Sequence, residues 1–243
     1  FSLKYLKTLE RSHDPNSVFR AMDILRKAGL HSVSMDLIFG IPEQSLSDLK
    51  FDLEQMLHLS PNHTSVYGLI YEPSTAMTER LKRGEFKSCN EELEASMYEL
   101  VDNTLVSAGM YPYELSSWSM PGHECHHNIN YWMNLDWWGI GPSASGHVDG
   151  VRWKNIPHLN RWLNSSGLSL VIDREEVEED VRAGEMLMSG LRLIEGINGE
   201  KLEHILSMDG GKRRRIVIDN YVSTNLLKIT KSGGISFTFK GRL

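Results

Sequence analysis

Cysteine is scarce in this sequence: 243 residues contain two, Cys89 and Cys125. Two thiols cannot build a disulfide framework, and both are expected to be reduced, which suits the cytoplasm or a mitochondrial or plastid matrix. Long hydrophobic runs are also lacking. None approaches the ~20 residues that a bilayer-spanning helix needs, so no membrane span is expected. Positive charge is in deficit, with 26 Lys and Arg against 32 Asp and Glu, a net charge of −6. The one basic run, Lys212 to Arg215, reads as a solvated helix end, and nucleic acid is not an expected partner. The first residue is Phe1 and not methionine, so the lack of a targeting segment carries no information about location.

What is present describes an α/β protein. At 40% hydrophobic residues the chain can form one large core and one small one. Asp14-Pro15 reads as the N-cap and first position of a helix with Val18, Met22 and Leu25 on one face and Gly29 as its stop. SVSMDLIFG reads as a buried parallel strand ending in the turn Gly40-Ile41-Pro42. Ser45 and Asp48 suggest a capping box for a helix with Leu49, Leu53, Met56 and Leu57 on its apolar side. TSVYGLIYE is a second strand, and a helix from Asn90 to Ala108 carries Leu93, Met97, Leu100 and Val101. YPYELSSW follows as a further strand. Alternating elements at this spacing imply α/β units on a parallel sheet.

From Glu175 the pattern changes. A long acidic helix, EEVEEDVRAGEMLMSGLRLIEG, precedes a helix from Gly199 to Leu206 and another from Lys212 to Ser223. A hairpin turning at Gly233-Gly234 closes the chain. Three helices and a hairpin are the layout of a winged helix, here without the basic surface of a DNA reader.

Between these regions lies HECHHNINYWMNLDWWGIGPSASGH, residues 123–147, with four histidines, one cysteine and three tryptophans. Consecutive Cys125, His126 and His127 are poorly spaced for one metal ion, and no second cysteine pair is available to close a structural zinc site. Two readings stay open on composition. One histidine could bind an iron porphyrin axially among aromatic walls, or Trp132, Trp137 and Trp138 pack a core while the histidines form its polar rim. Gly139, Gly141 and Gly146 suggest a tight turn or close backbone approach.

Taken in order, SMDLIFGIPEQS, SVYGLIYEPST, YELSSW, HECHHNINYW, WWGIGPSASGH and GEMLMSGLRL resemble the HemW-type heme chaperones. These are relatives of the oxygen-independent coproporphyrinogen III oxidases among the radical S-adenosylmethionine (SAM) proteins. The resemblance spans essentially the whole chain. It implies the C-terminal part of a partial (β/α) barrel over residues 1–155, followed by a small winged-helix-like α+β domain over 156–243. It also implies SAM contacts at Asp36 and Ile38 on the first strand, Ile70 on the second, and Ser145 in the glycine-rich loop. Barrel ligands bind at the C-terminal ends of strands, where a carboxylate can meet ribose or ammonium groups. His127 would be the heme contact, with Asn128, Tyr131 and Trp132 orienting its loop. GIGPSASG stands where many relatives read GIGAGAHG, and the histidine is displaced to His147.

The family's [4Fe–4S] cluster is held by a CxxxCxxC loop after the first barrel strand, and this sequence has no such triplet. The resemblance therefore assigns no catalytic residue and no metal ligand here. The chain is expected to be the cluster-less C-terminal portion, completed by a missing N-terminal barrel half or by a larger assembly. Three functions are compatible with that expectation. The first is heme handling with SAM and a cluster supplied from elsewhere. The second is a structural subunit of a larger, for example organellar, assembly after loss of chemistry. The third is a heme-binding module that passes heme to a recipient protein. Porphyrinogen oxidation is the alternative activity within the family, and HNINYW argues against it.

Overall fold

A computed structural model of the chain describes residues 1–165 and 170–243. These pack as two units, Phe1–Glu124 and Cys125–Arg242. That division follows packing and differs from the 155/156 division of composition and motif.

The first unit runs α1 (Leu3–Thr8), α2 (Pro15–Lys27), β1 (Ser34–Phe39), α3 (Leu46–His58), β2 (His63–Gly68), α4 (Ala76–Lys82), α5 (Glu91–Ser107), β3 (Tyr111–Glu114) and β4 (Ser117–Ser119). Helix starts lie where local chemistry satisfies free amides. The Asp14 carboxylate accepts from the Ser17 amide, Ser45 and Asp48 form a reciprocal capping box, and Asn90 accepts from the Leu93 amide. Gly29 takes φ +79 after α2, a left-handed stop that glycine adopts without strain.

The sheet order is β1-β2-β4-β3. β1 and β2 are parallel, from Ser34 opposite His63 to Phe39 opposite Gly68. The rest departs from the expected parallel sheet. YPYELSSW folds back on itself as β3 and β4, and β4 pairs antiparallel with β2. β1 is also less buried than a central parallel strand, because among the described residues it pairs with β2 alone. Its free edge borders a cavity of about 300 Å³ lined by Tyr5 and Leu9 at the N-terminal side, Val18 of α2 and Met35–Ile38 of β1. The helices cover the other face. Leu49, Leu53 and Met56 of α3 and Met97, Val101 and Leu105 of α5 pack on Phe39, Val66 and Trp118. The Trp118 indole, fully buried, donates to the Asp102 carboxylate at 2.9 Å, which satisfies its one polar atom.

The second unit runs α6 (His126–Trp132), β5 (Ser145–Val148), β6 (Val151–Asn155), α7 (Leu159–Leu163), β7 (Val171–Glu176), α8 (Glu179–Gly190), α9 (Gly199–Ser207), α10 (Gly211–Ser223), β8 (Leu227–Ile229), β9 (Ile235–Phe237) and α11 (Phe239–Arg242). β5, β6 and β7 form an antiparallel sheet that the sequence reading did not contain. The acidic helix expected from Glu175 starts at Glu179 and ends at Gly190. Glu175 instead lies in β7, paired at 2.7 Å with Arg152 of β6. α8, α9, α10 and the β8–β9 hairpin make the expected winged-helix-like arrangement around Met186, Ile197, Leu202, Ile205, Ile218 and Ile235. The basic run is only partly solvated: Arg214 is buried, and its guanidinium bonds Asp180, Ile205 and Asp209. No helix among the described residues is long and apolar enough to cross a membrane.

Candidate functional site

Alternation along the strands gives the first unit's sheet two chemically different faces. Met35, Leu37, Phe39 and Val66 face the helices. Ser34, Asp36 and Ile38 of β1 point the other way, with His63, Ser65 and Tyr67 opposite them on β2. This second face is polar and internally bonded. His63 Nδ1 lies 2.8 Å from Ser34 Oγ, and its Nε2 lies 2.8 Å from the Tyr113 hydroxyl. Ser65 and Ser117 hydroxyls meet at 3.0 Å. Burial pushes His63 below the usual histidine range, although Asp36, Glu114 and Glu124 pull the other way. His63, Ser65, Tyr113 and Ser117 were missed in the sequence, where the alternation of His63, Ser65 and Tyr67 with Thr64 and Val66 was the available signal.

Asp36 is exposed and Ile38 half-buried on this face, two residues apart. Asp36 is the third of six strand residues, nearer the middle of β1 than its C-terminal end. Ile70 is not on the second strand: β2 stops at Gly68, and Ile70 stands 74% exposed in the loop beyond it. Ser145 and His127 belong to the second unit. Ser145 opens strand β5 and is not in a loop.

The histidine-rich segment also differs from a loop. HHNINYW is helix α6, and His127 is exposed on it. His127 and Tyr131, four residues apart and so on one helical face, touch edge to face at 4.8 Å. Tyr131 in turn meets Trp137, and Trp137 meets His147, each at 4.8 Å between ring centres. His147 is 5% exposed, and its Nδ1 has no hydrogen-bond partner. The glycines nearby are explained by packing within the chain. A Cβ on Gly146 would stand 2.3 Å from the Trp153 ring, and one on Gly139 would stand 2.4 Å from the Ser145 carbonyl oxygen. Asn155 Nδ2 donates to the carbonyls of both Gly139 and Gly141 at 3.0 Å, which fixes the turn.

Among the described residues no three His, Cys, Asp or Glu side chains are placed to hold a metal ion. The donor set does not fit a [4Fe–4S] cluster, which takes several thiolates. Cys89 and Cys125 are free and fall in different units, and burial raises the Cys89 thiol so that it keeps its proton. Heme fits better, since an exposed imidazole beside aromatic rings is a suitable axial donor. The exposed Asp36 carboxylate on a hydroxyl-rich face suits a ligand with hydroxyl or ammonium donors.

No protein-family profile matches the chain. It is similar to the heme chaperone HemW of Lactococcus lactis, 34% identical over 84% of this chain and 54% of that protein. HemW of Mycobacterium tuberculosis is 36% identical over 80% of this chain and 50% of that protein, and HemW of Bacillus subtilis is 31% identical over 84% and 55%. The chain thus spans about half the length of the curated relatives it matches. In three dimensions it resembles the coproporphyrinogen III oxidase HemN of Escherichia coli, a radical SAM enzyme. The TM-score is 0.78 at 17% identity, over all of this chain and 59% of that one, a likeness of fold. Over the half of their length that it spans, the chain is a relative of the HemW-type heme chaperones.

Proposed function

We propose that the chain is the cluster-less C-terminal part of a HemW-type heme-handling protein, with His127 as its heme contact. The observation that carries this reading is helix α6. It leaves the His of HNINYW exposed and in ring contact with Tyr131, which packs on Trp137. Asp36 and Ile38, with Ile70 and Ser145 as weaker contacts, are the proposed SAM-facing residues. The cluster ligands would come from a segment or partner outside these residues. The free edge of β1 is the place where further strands would pair, since an unpaired edge presents open N–H and C=O groups. A heme recipient protein is the proposed partner of the completed molecule.

Titration with hemin tests the reading. Wild-type chain should develop a Soret band that His127→Ala loses while its far-UV circular dichroism is unchanged. An identical band in the variant would remove His127 from the account.

A further inference from the structure

Helix α6 has seven residues, and its N-cap, Cys125, makes no side-chain capping bond. A helix so short is not stable by itself in water, so its orientation must come from tertiary contacts. Besides the packing of Tyr131 on Trp137, two contacts come from the helical part of the same unit. Lys201, in the first turns of α9, is half-buried, and its Nζ donates to the carbonyl oxygen of Met133 at 2.7 Å. Met133 is the C-cap of α6, so the ammonium satisfies an end carbonyl and sits where the helix dipole favours positive charge. Arg192, just after α8, lays its guanidinium over the Trp132 indole at 4.3 Å, within cation–π range. Trp132 is five residues from His127, about 140° round the helix. The two cations hold Trp132 and the C-terminal end of α6, and His127 itself stays exposed.

We propose that Lys201 and Arg192 are positioning residues for His127, through which the winged-helix-like part sets the orientation of the heme-contacting helix. The proposal rests on the reading of His127 as the heme contact. It gives the small C-terminal helices a role other than nucleic-acid binding. Burial lowers the Lys201 ammonium below its ordinary range. That desolvation cost at a helix end fits a placed group better than a surface lysine.

The test uses the 243-residue chain in two assays. In hemin titrations Lys201→Met should weaken binding about tenfold, the size of effect seen when the supports of a ligating histidine are removed. Its Soret band should keep the wild-type position, and Lys201→Arg should restore affinity. In hydrogen–deuterium exchange the amides of α6 should exchange faster in Lys201→Met, with those of α10 unchanged. Wild-type affinity and wild-type α6 exchange in Lys201→Met would overturn the proposal. If that variant does not fold, Arg192→Gln is read by the same criteria. If wild-type chain takes up no hemin, the heme reading fails. Exchange at α6 then decides the positioning claim alone, unchanged rates in the variant overturning it.

Discussion

Replacing Arg214 by Met separates two descriptions of the run Lys212–Arg215. If these were equivalent solvated charges, each substitution would cost little. Arg214 is 7% exposed. Its Nη2 meets the Asp180 carboxylate at 2.7 Å and the Asp180 carbonyl at 3.2 Å, and also bonds the Asp209 carbonyl. Nη1 donates to the Ile205 carbonyl at 3.3 Å. One guanidinium therefore ties the start of α8, the end of α9 and the turn into α10. Met keeps most of the aliphatic stem but removes every donor. Loss of a buried charged pair costs about 3–5 kcal/mol when the partner is stranded. Asp180 is not stranded, because it is 40% exposed and also bonds Arg213 at 2.9 Å. The remaining loss comes from carbonyls left without a donor, and about 2–4 kcal/mol is the expected total. Arg213→Met, at a 72% exposed side chain, should cost less than about 1 kcal/mol. Urea denaturation of both variants by far-UV circular dichroism gives the comparison. Equal midpoints for Arg214→Met and Arg213→Met would refute the reasoning.

Two further outcomes follow from the same geometry. Gly146→Ala places a Cβ 2.3 Å from the Trp153 ring and should destabilise the chain by about 1–3 kcal/mol, with part of the loss recovered when Trp153 is also reduced to Leu. Wild-type stability in Gly146→Ala would contradict the packing account. His63 is held below its usual value of 6.5 by burial. Below that pH the unfolded chain takes a proton that the folded chain resists, so this contribution to stability is complete above about 6.5 and lost as the pH falls. Denaturation midpoints at about pH 7.5 and 5.5 should differ less in His63→Gln than in wild type, and equal differences would exclude His63 as a source.

Elements set by local chemistry were legible in the sequence. The Asp14 and Ser45 caps each act within three residues, and the Gly233-Gly234 hairpin turns where its glycines stand. The parts that went unread depend on distant partners. HHNINYW is poor in strong helix formers, and α6 is supported by Lys201 and Arg192, some 60 to 70 positions away. Glu175 looked helical because it opens an acidic run, yet its pairing with Arg152 places it on a strand. Gly139 and Gly146 did signal close approach, but periodicity could not say that the approaching atoms were the chain's own. Asp36, Ile38 and His127, the proposed contacts, were visible as motif residues. The polar network around His63 was not, because it joins β1, β2 and β3 through side chains 29 and 50 residues apart.

The central claim is that this chain is the heme-contacting part of a protein whose cluster-bearing part lies elsewhere. Native mass spectrometry of the protein as isolated from its source, with an absorption spectrum of the same sample, tests it most directly. The account predicts a species heavier than 27.7 kDa that carries iron and sulfide and takes up hemin through His127. A colourless 27.7 kDa chain with no companion and no response to hemin, or one lodged among unrelated subunits, would contradict it.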